Sequence, residues 1–188
     1  MLAIDLPGFR PSGWTWVTLA LLTVVSVAVG RRAADRLDVH PVGMTAWLCF
    51  VGGYVAATVP PQSGPSRGPN IECRFLSDPL SPGIDLADAH QLLNVLIMVP
   101  IGVLSVAVVD RRRTQGAGLI VGALLPLGAE AAQALLPASR TCDAIDVVDG
   151  WIGLTAGAAL GAFVLLIDRW WRHGPDRGVA GHQARRRN

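Results

Sequence analysis

The chain has 188 residues, 51% of them hydrophobic and only 16% charged, with mean hydropathy +0.42. That balance excludes an ordinary soluble domain and fits a small membrane-embedded bundle. The net charge of +2 comes from sixteen basic residues, all Arg. These cluster beside hydrophobic stretches, so they mark membrane topology and give no footing to nucleic-acid binding.

A transmembrane helix needs about 20 mainly apolar residues. In chain order, five segments meet or approach that length: 14–30, 43–59, 92–109, 118–136 and 147–167. Trp14 and Trp16 open the first, and Trp170 and Trp171 follow the last, as aromatic residues at headgroup level do. The second ends at Pro60-Pro61 and the fourth at Pro137, where a helix cannot continue. Between the second and third spans lies a Pro-, Gly- and Ser-rich loop from Pro60 to about Asp88, long enough to act as a cover or a linker. Asp85 and Asp88 fit an N-cap and its acidic N3 residue, so the third helix is expected to begin before the membrane.

Arg31, Arg32 and Arg36 follow span 1, Arg111–Arg113 follow span 3, and Arg169, Arg172, Arg177 and Arg185–Arg187 follow span 5. Only Arg10, Arg67, Arg74 and Arg140 fall on the other side. Cytoplasmic loops carry the excess of basic residues. The expected fold is therefore an all-α polytopic integral membrane helical bundle of about five transmembrane helices, N-terminus outside and C-terminus cytoplasmic. Span 1 has its Arg after the apolar run, the reverse of a secretory signal, and is read as a retained anchor. Residues 1–173 form the expected membrane domain. Residues 174–188 form an Arg-rich cytoplasmic tail, expected to be disordered near anionic headgroups.

This topology gathers polar residues on one membrane face. Span 3 enters with His90, Gln91 and Asn94; span 4 arrives with Glu130 and Gln133, one above the other at i and i+3. Arg140 stands in the short outer turn, and span 5 leaves with Asp146 and Asp149. Carboxylates at membrane depth are costly and usually mark either a buried pair or function. Singly, Glu130 or Asp146 pairing with Arg140 would only lock the turn. Together the charges exceed what a lock needs and point to a site. Glu130, Arg140 and Asp146 are the candidate catalytic residues, and His90, Asn94, Gln133 and Asp149 the candidate ligand-binding ones.

Gly153, Gly157 and Gly161 space small residues by four along span 5, a helix-packing face that Gly122, Gly128 and Ala129 of span 4 are positioned to meet. The same face is a possible docking surface for a partner helix. Cys73 and Cys142 both fall on the outer side, where a disulfide can form; Cys49, mid-span, reads as a small buried hydrophobe. No metal-ligand spacing, phosphate loop or G-x-S-x-G occurs, so no metal or cofactor is expected.

Asn94 followed by an apolar run to Pro100 and Gly102, then Glu130, Gln133, Arg140, Asp146, Gly153, Gly157 and Gly161, resembles the VanZ-like family of bacterial membrane proteins. The resemblance covers about residues 90–165. It departs from the family pattern at Gly150, where an Asn is expected four residues after the Asp. It implies a multi-pass protein of the bacterial cytoplasmic membrane, working at the cell envelope and linked to tolerance of the glycopeptide teicoplanin. The expected partner is a membrane lipid or a lipid-linked envelope precursor, bound at the outer leaflet. Two alternatives stand beside it. One is an enzyme that uses Glu130, or the Glu130/Asp146 pair, on a lipid-linked substrate. The other is a non-catalytic partner subunit or small transporter.

Overall fold

The computed structural model describes residues 12–59, 89–107, 112–135 and 143–172. Among them it contains five helices: α1 (Gly13–Leu37), α2 (Pro41–Thr58), α3 (Ala89–Ala107), α4 (Arg112–Leu135) and α5 (Ala144–Arg172). Four, α1, α2, α4 and α5, are long and apolar enough to cross a membrane. The apolar run of α3, Gln91–Ala107, is shorter. The described residues are thus all-helical, with the length and apolarity expected of membrane-spanning helices.

Local chemistry sets the helix ends. Ser12 caps α1 through a reciprocal box with Thr15, satisfying amides that have no intrahelical partner. At the far end Asp38 turns left-handed (φ 55°) and its amide returns to the Ala34 carbonyl; Pro41 then opens α2 at a position where a missing N–H costs nothing. Helix α1 therefore runs seven residues beyond the span ending at residue 30, carrying Arg31, Arg32 and Arg36 on its last turns. Helices α4 and α5 likewise extend into their Arg residues. An apolar window stops at charge, whereas Ala and Arg are strong helix formers and continue the hydrogen-bond ladder into water.

Contacts fix an alternating topology. Gly30 of α1 meets Thr45 and Gly52 meets Leu22, so α1 and α2 are antiparallel. Trp47 Nε1 donates to Ser105 Oγ (2.9 Å), joining the start of α2 to the end of α3. Gly122 meets Leu154, and the Trp151 indole donates to the Ala123 carbonyl (2.9 Å), so α4 runs antiparallel to α5. One end of the bundle collects Ser12, Thr58, Ala89, Leu135 and Ala144. The opposite end collects Leu37, Pro41, Ala107, Arg112 and Arg172 and, with them, the Arg residues described.

The tightest pair is α3 with α5, which run parallel. Gly153, Gly157 and Gly161 lie on the backbone carbonyls of Val95, Val99 and Val103, while Gly102 of α3 lies on the Leu154 carbonyl. Glycine is required there because a Cβ would sit inside the partner's backbone. Small residues permit such approach where lipid supplies no hydrophobic drive between helices. The stripe thus finds its partner in α3 of the same chain rather than in α4; Gly128 has nothing within 4 Å of a Cβ position.

Around a small apolar core of Tyr54, Met98, Ile101, Ala129 and Leu154, burial departs from that of a soluble protein. Trp14, Val17, Leu21, Val24, Ile120, Phe163 and Leu166 are exposed, whereas Thr58, Asn94, Ser105, Glu130, Gln133 and Asp149 are buried. Apolar side chains facing outward suit a hydrocarbon solvent, and polar ones inside find partners there. Trp14 and Trp16 are exposed at one end and Trp170 and Trp171 at the other.

Candidate functional site

Three side-chain hydrogen bonds between different elements meet at the end of the bundle away from the Arg-bearing helix termini. Asn94 of α3 donates through Nδ2 to Asp146 Oδ1 of α5 at 2.8 Å. Gln133 of α4 donates through Nε2 to the Thr58 carbonyl at 3.1 Å, supplying a partner to a last-turn carbonyl that α2 itself cannot satisfy. Glu130 accepts the backbone amide of Asp143 through Oε2 at 2.7 Å. Helices α2, α3, α4 and α5 are all joined by this set.

The local sequence explains each placement. Glu130 and Gln133 are separated by three residues and share a face of α4; both are buried, at 7% and 4% exposure. Asp143 immediately precedes α5, its Oδ1 accepting the Ile145 amide (3.1 Å) and its carbonyl the Asp146 amide (3.1 Å). Asp146 lies in the first turn of α5, where the positive end of the helix dipole favours a carboxylate. One turn further in, Asp149 is completely buried, at 0% exposure. Glu130, Asp146 and Asp149 thus place three carboxyl groups at one end of four packed helices.

Of the candidates read from the sequence, Asn94 and Asp146 are brought into direct contact, and Glu130, Gln133 and Asp149 are buried on the elements around them. Glu130 and Gln133 are engaged with backbone groups rather than with each other. Arg140, Cys73 and Cys142 lie outside the described residues, as do Asp85 and Asp88. His90 is the second residue of α3, but its side chain is likewise outside the described set. Cys49 is a half-buried free thiol on α2.

Sequence reasoning missed Asp143 and Thr58, which act here through backbone atoms that leave no trace in side-chain pattern. It also left Gly150 unexplained. A Cβ at Gly150 would lie 2.6 Å from Pro126 Cγ, with Met98 beyond, so the α4 proline occupies the place of a side chain. Beside the polar end runs an apolar groove of about 300 Å³ between α2 and α4, lined by Tyr54, Val59, Leu125, Gly128 and Ala129. Ala129 is the residue before Glu130, so the groove opens next to the polar cluster. No family model matches the chain, and no curated protein or solved structure is significantly similar to it.

Proposed function

We propose that the chain is a VanZ-like protein of the bacterial cytoplasmic membrane that crosses it five times, with its N-terminus outside and its Arg-bearing end in the cytoplasm. Its polar end works at the outer leaflet on a cell-envelope component, a membrane lipid or lipid-linked precursor, with glycopeptide tolerance as the cellular readout. The observation that carries this reading is the Asn94–Asp146 bond among buried Glu130, Gln133 and Asp149, at the end opposite the Arg termini. Carboxyl and amide groups at that depth bind polar headgroups through directed hydrogen bonds, and the α2–α4 groove beside them suits an acyl or polyprenyl chain. Arg140, next to this end in sequence, supplies a fork of donors for phosphate or carboxylate.

The test is teicoplanin tolerance in a susceptible bacterium expressing the wild type, Asn94→Ala or Arg140→Ala, with membrane amounts matched by immunoblot. The wild type raises tolerance, and both variants return it to that of the empty vector. Variants as protective as the wild type, or a wild type with no effect, overturn the proposal.

A further inference from the structure

A second groove lies at the opposite, Arg-bearing end. It measures about 260 Å³ and is walled by Ala33 and Leu37 of α1, Met44 and Trp47 of α2, Leu104 of α3 and Val121 of α4. Its one polar wall feature is already satisfied within the protein. The Trp47 indole donates to Ser105 Oγ, which itself donates to the Ile101 carbonyl at 2.7 Å. Whatever enters meets only apolar surface. A free phosphate has nothing to bind inside. A flexible hydrocarbon chain matches that lining.

Charge decides which lipid. Arg36 stands immediately before the lining residue Leu37 and one turn from Ala33; Arg31, Arg32 and Arg36 are all exposed and outnumber the exposed Asp35 and Asp38 of the same stretch. The apolar slot therefore lies beside the basic end of α1, whose Arg side chains are long enough to reach the membrane interface. We infer that this groove binds an anionic phospholipid, one acyl chain lying against Trp47 and the headgroup phosphate held by Arg32 and Arg36 at the end of α1. The site is separate from the polar end and independent of its function.

The experiment uses Trp47 as the reporter. A variant retaining only this tryptophan is reconstituted into phosphatidylcholine vesicles containing brominated phosphatidylglycerol or, at equal bromine content, brominated phosphatidylcholine. Should that variant lose its helical circular-dichroism signal, the same quantity is read as the difference between wild type and Trp47→Phe. The anionic lipid is expected to quench Trp47 with about fivefold higher apparent affinity, the contribution of one basic side chain near an anionic surface. In Arg32→Gln/Arg36→Gln the preference falls towards unity. In Ala33→Phe, which fills the groove, quenching by both lipids drops. Equal affinity for the two headgroups in the wild type overturns the inference. So does unchanged quenching in Ala33→Phe.

Discussion

Replacing Gly157 with Ala tests the seam on which the bundle is built. The added Cβ would fall on the Val99 carbonyl oxygen and 3.0 Å from the Val99 Cα, so the obstruction is backbone and no rotamer change relieves it. Ordinary carbon contacts lie at 3.4 to 4 Å, and α3 and α5 must separate along a seam that Gly153, Gly161 and Gly102 also close. Overpacking of this kind costs about 1–3 kcal/mol, with rigid obstruction at the upper end. Alanine's better helix propensity returns up to about 1 kcal/mol. The net expected loss is about 2 kcal/mol. Gly128→Ala is the internal control, because nothing lies within 4 Å of its Cβ position; it should be neutral or gain up to about 1 kcal/mol. The two variants then differ by about 3 kcal/mol, more than a hundredfold in the unfolding equilibrium. Reversible unfolding by sodium dodecyl sulfate in mixed micelles, followed by circular dichroism, measures this directly. If Gly157→Ala and Gly128→Ala behave alike, the close α3–α5 approach is not what holds the bundle.

Gln133→Leu removes the donor to the Thr58 carbonyl and should destabilise by about 0.5–2 kcal/mol, read in the same unfolding assay. Gly150→Asn, which restores the family-like residue, should destabilise strongly because Pro126 fills that space. Adding Pro126→Ala should recover part of the loss, and a double-mutant cycle with no coupling would refute the contact. Asn94→Leu should cost more than Asn94→Asp at acidic pH, where a protonated carboxyl can still donate to Asp146; equal losses would show that the bond to Asp146 contributes nothing.

The five apolar segments were legible because a lipid-facing helix must present a long apolar run, and each coincides with a helix. Their charged ends were not, since the ladder of α1 through Arg36 depends on backbone hydrogen bonds that hydropathy does not register. The gathering of Asn94, Glu130, Gln133 and Asp146 at one end followed from span parity alone, as alternate helices reverse direction. What each residue touches did not follow. Gln133 and Glu130 bond to backbone groups of Thr58 and Asp143, and a carbonyl or amide has no identity in the sequence. The glycine stripe was legible as a packing face but its partner was not, because a face of small residues accepts any helix. Only the carbonyls of Val95, Val99 and Val103 identify it as α3. The match between Gly150 and Pro126 joins residues on different helices and needed coordinates.

The central claim is that the polar end faces outward and the Arg end inward, and impermeant thiol labelling in intact cells tests it most directly. On a background with Cys49, Cys73 and Cys142 replaced by Ser, single cysteines are placed at Gly13, beside the polar end, and at His40 and Arg172, at the other; all three positions are exposed. Gly13→Cys should react with an impermeant maleimide in intact cells, whereas His40→Cys and Arg172→Cys should react only after the membrane is permeabilised. Labelling of His40→Cys or Arg172→Cys in intact cells, with Gly13→Cys protected, would contradict the account.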